Sequence, residues 1–376
     1  MSFRYAAGFN PASVNTLVAP TPGYYTYNLY AWGRGQYGQL GLGNTTNYSS
    51  PAQVGSLTNW STISNGRGHT VASKSDGTIW AWGKNNYGQL GLNNTTYYSS
   101  PKQIGALTTW LQISASGYGT LAIKTDGTLW SWGFNGNGHL GTGNVTNYSS
   151  PIQVGALTNW LKLSCGYLST VALKTNGTIW SWGYNGNGEL GLGDRVSRSS
   201  PVQIGALTTW SKPANSNWNS FYVIKTDGTL WCWGYNNRGQ LGLNNRTNYS
   251  SPKQVGALTN WLKISSAYST AGIKTDGTLW TWGGNYDGEL GLGDSGFTYR
   301  SSPNQVGSLT TWSQISVFMG GMASIKTDGT LWTWGSSGSG ELGLGNRTSY
   351  SSPKQVGSST TWLTLATCYH SPAAIG

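Results

Sequence analysis

The stretch Trp80-Ala81-Trp82-Gly83-Lys84-Asn85-Asn86-Tyr87-Gly88-Gln89-Leu90-Gly91 decides how this chain is read, because it recurs. The second tryptophan of each WxWG falls at Trp32 (in the form YAWG), Trp82, Trp132, Trp182, Trp233, Trp282 and Trp334, in steps of 50, 50, 50, 51, 49 and 52 residues. A Ser-Ser-Pro keeps the same period, its prolines being Pro51, Pro101, Pro151, Pro201, Pro252, Pro303 and Pro353. Turn-rich, strand-like units with a period near fifty indicate propeller blades.

Within one unit, Leu121–Lys124 and Thr128–Trp132 flank the turn Asp126-Gly127 and read as a β-hairpin. Gln153-Val154-Gly155 and Trp160–Ser164 are the two further strand candidates, giving four strands per blade. The last unit stops at Ile375-Gly376, before its Trp strand, and the missing half stands at the start as Tyr27–Gly33. The predicted fold is therefore all-β: a single seven-bladed β-propeller over residues 24–376, closed by pairing N- and C-terminal strands in one blade. Residues 1–23 lie outside the repeats.

Only 9% of residues are charged, against 56 Gly, 21 Trp and 22 Tyr, so aromatic side chains and tight turns replace a helical, leucine-rich core. Twenty tryptophans occupy repeat positions in WxWG or LTxW; Tyr30 fills the remaining slot and only Trp218 falls outside the pattern. Alternation places both tryptophans of WxW on one strand face, where they fill the wedge between blades. That makes them core rather than a stacking platform for nucleic-acid bases.

The formal charge of +11 comes from 22 Lys and Arg that form no basic run, so no nucleic-acid partner is expected. Lys74, Lys124, Lys174, Lys225, Lys274 and Lys326 recur before the Gly turns and read as solvated turn charges. Cys165, Cys232 and Cys368 occupy unrelated repeat positions, which fits neither a disulfide framework nor a zinc site. No window approaches the roughly eighteen apolar residues of a membrane helix, and no signal-peptide pattern opens the chain. A chain without a membrane span or a recognisable export signal is expected.

The unit WGxNxxGQLG, with Gly66-Arg67-Gly68-His69-Thr70-Val71-Ala72 as a GxxHT segment, resembles the repeat of the regulator of chromosome condensation family over about residues 27 to 376. Kelch propellers share the period but carry a paired-glycine signature missing here. The resemblance implies a seven-bladed propeller that offers a face to a partner. Its members include a nucleotide exchange factor for a small GTPase, a plant ultraviolet-B photoreceptor and a bacterial β-lactamase inhibitor. The exchange factor implies a hairpin wedge between blades, for which spacings of at most 52 leave no room. Gly119, Ser169, Ser269 and Gly321 replace the histidine of GxxHT. The photoreceptor implies exposed tryptophans beyond the core set, and only Trp218 qualifies.

No catalytic, cofactor or metal site is predicted. His69, His139 and His370 lie in separate repeats, and Glu189, Asp194, Asp287, Glu289, Asp294 and Glu341 read as solvent-facing loop acids without an acid/base pairing. The loops after LGLG supply the candidate partner-binding rim: Tyr48, Tyr98, Tyr148, Arg195, Arg198, Tyr249, Tyr299, Arg300 and Tyr350, with Tyr97 and Phe297 beside them. Tyr and Arg are hot-spot residues, and amphipathic rings also suit sugar faces. The competing structural reading packs each Tyr over its own Ser-Ser-Pro turn. Trp218 joins the rim candidates because Lys212–Asn219 replaces the expected strand and glycine turn of the fifth repeat.

Residues 1–23 read as an extended assembly arm with anchors Phe3, Arg4, Tyr5, Phe9, Leu17 and Val18 among Pro11, Pro20 and Pro22. Its opening, Ser2–Phe9, resembles the start of bacteriophage virion proteins that decorate capsids or tails. The functional expectation is a non-enzymatic virion decoration or fibre-type protein on the virion surface. Its arm would dock on other virion proteins, and its propeller rim would face a host-surface protein or glycan. A free-standing inhibitor- or lectin-type propeller is the alternative, with guanine-nucleotide exchange behind it.

Overall fold

A computed structural model describes residues 27–376 except Asn217 and Cys368, and without the side chain of Asn215. The anchors predicted in residues 1–23 lie outside the described residues. Seven sheets form the ring, six antiparallel with four strands and one of five strands, four of them antiparallel. One blade serves for all: Trp110–Ala115, Gly119–Lys124, Leu129–Gly133 and Tyr148–Gln153 run in sequence order from the axis to the perimeter.

The fourth strand differs from its predicted position. It is Tyr148–Gln153, so Ser-Ser-Pro is not a turn but the body of the outer strand, and Val154-Gly155 follows it. Proline is tolerated there because an edge strand leaves one side of its ladder unpaired. The fifth repeat keeps a short strand at Trp210–Pro213. The chain then crosses over, and Asn215–Ser216 pairs parallel with the inner strand of the next blade, Asn215 opposite Ser265 and Ser216 opposite Ser266.

Closure is as the chain ends indicate. Leu29 pairs with Ile375, Tyr30 with Ala374 and Ala31 with Ala373, and Asn28 and Gly376 exchange backbone hydrogen bonds of 3.1 Å. Thr364–Ala366 completes that blade on the axis and Tyr48–Gln53 on the perimeter.

The second tryptophan of each WxWG is at most 1% exposed, and its Nε1–H donates to a carbonyl of the neighbouring blade at the GQLG position. Trp82 donates to Gln39 (2.9 Å), Trp132 to Gln89 (3.0 Å), Trp182 to His139 (2.9 Å) and Trp233 to Glu189 (2.8 Å). Trp282 to Gln240 (2.7 Å), Trp334 to Glu289 (2.9 Å) and Trp32 to Glu341 (2.8 Å) complete the circuit. Each joint thus combines the largest apolar side chain with a satisfied buried donor. The first WxW tryptophan is only half-buried. Trp130 sits at the blade edge and donates to Thr128 Oγ1 at 2.9 Å.

Two readings of charge are corrected by these joints. Glu189, Glu289 and Glu341 do not face solvent: they are 0%, 5% and 3% exposed. Their slot needs only an acceptor for a backbone N–H two residues earlier. Gln89 supplies it to Tyr87 (2.9 Å) and Glu189 to Asn187 (2.8 Å), so amide and carboxylate interchange. Nor do the repeat lysines all stand clear in solvent: Lys124, Lys174 and Lys274 are buried, while Lys74, Lys225 and Lys326 are half-buried. Lys124 Nζ lies 3.6 Å from the Trp130 ring centre and 5.0 Å from that of Trp110, with the lysine 9% exposed.

The ring has two distinct faces. One carries the turns between first and second strands together with the WGxNxxGQLG loops. The other carries the Asp-Gly turns, the half-exposed leucines Leu107, Leu157, Leu207, Leu258 and Leu309, and the entry of the chain at Tyr27-Asn28. Among the described residues no helix is long and apolar enough to cross a membrane.

Candidate functional site

The seven turns between first and second strands crowd together at the axis on the loop face. Hairpin geometry fixes their backbones, while two positions at each tip differ from repeat to repeat. They carry Arg67, Tyr118, Tyr167, Trp218, Tyr268, Met319 and Tyr369, one from each blade. Below them the axial channel, lined by Ser64, Ser114, Ser216, Ser316 and Thr367 among others, encloses only about 30 Å3. The tips therefore form a lid of side chains over the axis.

Arg67 is the hub of this lid. Its Nη1 donates to Tyr118 Oη at 2.7 Å and to Tyr167 Oη, and its guanidinium lies 4.4 Å from the Tyr369 ring centre. Tyr167 Oη in turn donates to Tyr118 Oη at 2.9 Å. Trp218 stacks 4.9 Å from Tyr167, meets Tyr268 edge-on at 4.6 Å and lies 6.3 Å from Tyr369. Burial pushes the Tyr118 and Tyr268 phenols above their ordinary value, so both remain neutral beside a fixed cation, and Tyr118 Oη accepts from Arg67 and Tyr167.

Two arms run outward from this hub across neighbouring loops. Lys84 Nζ lies 4.9 Å from Tyr37 and 5.6 Å from Tyr118, and Tyr87 bridges Tyr118 and Phe134 at 5.7 and 4.9 Å. On the other side Arg238 covers Tyr268 at 3.7 Å and Tyr286 at 4.8 Å. Tyr286 Oη is 2.5 Å from Tyr299 Oη, and its ring is 5.0 Å from the 80% exposed Phe297. The outcome is one cationic, aromatic surface, half-buried and braced by its own contacts. Aromatic anchors and arginine held in place before contact are what a recognition surface requires.

The predicted rim divides differently. Tyr48, Tyr98, Tyr148, Tyr249 and Tyr350 open the outer strands opposite the glycines of WxWG, and Arg198 and Arg300 hold the same place in two blades. Asn44, Asn94, Asn144 and Asn245 donate to the tyrosine hydroxyls at 3.0, 3.3, 2.9 and 3.1 Å. Where arginine replaces tyrosine, aspartate replaces asparagine: Arg198–Asp194 and Arg300–Asp294 are both 2.6 Å ion pairs. These four tyrosines and two arginines brace their own loops on the perimeter, Tyr350 lies 5.4 Å from Lys354 Nζ, and Arg195 is exposed. Only Tyr299 and Trp218 reach the axial surface.

The other tip residues were missed because no single repeat is unusual. The available signal was that two turn positions vary while everything around them repeats. The histidines come no nearer to one another: His69 and His139 are fully buried in separate blades, and His370 Nδ1 lies 3.2 Å from Glu341 Oε1 at the ring seam. Burial alone would raise the Glu341 carboxyl. The hydrogen bond with His370 and those from backbone N–H groups, that of Ser339 among them, outweigh it and hold the group below its usual range.

Comparison with known proteins bears on the whole ring. The regulator of chromosome condensation (RCC1) repeat matches residues 28–73, 76–123, 126–173, 176–216, 227–271, 276–325 and 328–368. A second description of the same repeat matches 60–89, 110–138 and 160–189. Human WBSCR16 superposes with a TM-score of 0.83 at 20% identity, covering 94% of this chain and 99% of that one. Prp20p from Saccharomyces cerevisiae gives 0.83 at 19% identity, covering 94% and 92%. Yeast RCC1 (Prp20), solved bound to Kap60, gives 0.84 at 19% identity, covering 93% and 89%. At such identities the likeness is one of fold. No curated protein sequence matches the chain significantly.

Proposed function

The chain belongs to the regulator of chromosome condensation (RCC1) repeat family, and from that premise we propose that it is a non-enzymatic binding propeller that meets its partner with the axial surface around Arg67 and Trp218. The observation that carries this reading is the confinement of variation. Seven near-copies keep their joints and turns, yet at the axis their tips converge as different, mutually packed aromatic and cationic side chains. Architecture accounts for what repeats; it does not account for a shared surface built from what differs. That Prp20p is known for binding Gsp1p and histones, and yeast RCC1 for a complex with Kap60, is consistent with a partner-binding propeller.

The finer reading is a virion decoration or fibre-type protein at the virion surface, joined to the particle through residues 1–23. It rests on the resemblance of Ser2–Phe9 to phage virion proteins. The entry of the chain at Tyr27 supports it, because that point lies on the face opposite the axial surface. Attachment on one face leaves the other free to display.

Two measurements test these readings separately. The mass of the native assembly is compared for the full chain and for one lacking residues 1–23; only the full chain should join a large particle. Recovery of both as monomers would remove the virion reading and leave a free-standing binding module. Partner capture is then compared for wild type and Trp218→Ala. A drop of at least tenfold with an unchanged melting temperature is expected, whereas equal capture would show that the axial surface is not the site. Acceleration of nucleotide release from a small GTPase would instead favour exchange activity.

A further inference from the structure

The wall of the ring carries a second kind of feature, repeated rather than private. Between the outer strands of neighbouring blades lie grooves that contain the pairs Trp110–Trp130, Trp210–Trp231 and Trp261–Trp280 and enclose about 460, 410 and 470 Å3. Each lies in the size range of small-ligand pockets, about 300–1,000 Å3. The lining is equivalent in all three: two indoles, a leucine of the GAL segment and a strand-end glutamine, represented in the first by Leu107 and Gln103, with Asn93 at its edge.

The lysines make these grooves chemically specific. Lys124 and Lys274 line theirs, and Lys124, Lys174, Lys225, Lys274 and Lys326 lie 3.6, 3.6, 3.8, 3.6 and 3.7 Å from the ring centre of the first WxW tryptophan. None of them forms an ion pair among the described residues. Beside them the buried Nε1–H of Trp110, Trp160, Trp210, Trp261 and Trp312 has no acceptor among the described residues. Burial lowers the ammonium groups of Lys124, Lys225 and Lys274 below their ordinary value, as expected where charge is desolvated faster than it is compensated. A ring face compensates an ammonium only in part. The turn aspartates Asp126, Asp227 and Asp276 attract these ammonium groups without forming an ion pair among the described residues, and the rest of each groove is apolar wall with amides at the mouth.

We propose that these inter-blade grooves bind acidic sugar units, the carboxylate meeting the lysine, the C–H face of the ring lying on leucine and indole, and the hydroxyls reaching the strand-end glutamine. A uronic acid polymer would then engage several grooves at once, gaining avidity without a new contact. The seam groove breaks the pattern: Tyr30 stands in place of tryptophan, and the chain reaches Gly376 where the other repeats carry lysine. Six lysines per ring stand beside such a pair of indoles, Lys124, Lys174, Lys225, Lys274 and Lys326 closely and Lys74 more loosely, at 5.1 Å from Trp80 and with Trp60 Nε1 donating to Leu57 O at 2.9 Å.

The probes are galacturonic acid, its oligomers and the matching neutral galactose oligomers, followed by calorimetry and tryptophan fluorescence on the full chain. The expected result is a stoichiometry near six for the acidic monomer, at least tenfold tighter binding of the oligomer, and at least tenfold weaker binding of the neutral series. Replacing all six lysines by methionine keeps their stems packed and should abolish acidic binding. If that variant does not fold, Gln103→Trp, at an exposed strand end, should lower the stoichiometry by one while the melting temperature holds. Equal binding of neutral and acidic sugars, no binding at all, or a stoichiometry unmoved by Gln103→Trp would overturn the proposal. Trp218→Ala should leave it untouched, so failure here and failure of the axial surface are told apart.

Discussion

His139 occupies the slot that holds glutamine or glutamate in the other six repeats, and neither of its ring nitrogens has a hydrogen-bond partner among the described residues. His69 packs as tightly, with Thr120 Oγ1 3.3 Å from its Nε2 and the Gly119 backbone beside it. Burial pushes His69 down to about 4 and His139 down to about 3, so both are neutral in the folded protein at pH 7. An unfolded histidine takes up its proton near pH 6.5. Stability is therefore complete above that pH and is lost as pH falls towards the folded values, at about 1.4 kcal/mol per unit for each histidine. Glu189 and Glu289, raised by burial, act with the opposite sign through the carboxylate range. Urea unfolding should show a loss of about 2 kcal/mol per histidine between roughly pH 6.5 and 5. His139→Gln restores the acceptor used by Gln89 and should remove its share; parallel pH profiles for wild type and variant would refute this account.

Among the elements, the hairpin turn was the most legible and the outer strand the least. Thr78 donates its N–H and its hydroxyl to Asp76 Oδ1 at 2.9 and 2.6 Å, and Trp80 Nε1 donates to Thr78 Oγ1 at 3.1 Å. The Thr78 hydroxyl bond holds the Asp76 carboxyl below its usual range. In the fourth repeat Asn176 accepts the same two bonds from Thr178 at 3.1 and 2.7 Å, so an acceptor oxygen, not a charge, closes the turn. Asp76→Asn should accordingly be near neutral and Asp76→Ala should cost about 1 kcal/mol, read by chemical denaturation. The glycine beside it is fixed by space: at Gly77, φ is +79° and a Cβ would lie 2.0 Å from Thr108 O. The outer strand Tyr148–Gln153 was misplaced because its half-buried Ser-Ser-Pro body lies at an edge and shows no apolar alternation.

For the whole molecule, stability depends on joining the two ends. Ala373, Ala374 and Ile375 are 3%, 0% and 1% exposed, and their strand is the only partner of Leu29–Gly33 on the axial side. Deleting residues 373–376 exposes a strand edge and a buried isoleucine worth about 1.5–3 kcal/mol by itself. The truncated ring should unfold at least 3 kcal/mol more easily, roughly, and aggregate through the open edge. Denaturant titration with light scattering checks this; a truncated chain matching the intact one would mean that the ring does not rely on the seam.

By itself the sequence determined the number of blades, the hairpin of second and third strands within each, the closure and the repeat-locked place of the tryptophans. All of these follow from local periodicity and turn chemistry repeated seven times, so each copy confirms the others. Only the tertiary structure decided that the GQLG acids are buried, because burial there is created by the neighbouring blade about fifty residues away, and that the turn lysines lie on the tryptophans of their own blade. It alone decided that Arg67, Tyr118, Tyr167, Trp218, Tyr268 and Tyr369 form one surface while the Tyr-Arg rim splits into separate loop braces. A ring brings equivalent turns together at its axis and holds equivalent perimeter loops apart, and that difference is a property of closure, which no single repeat contains.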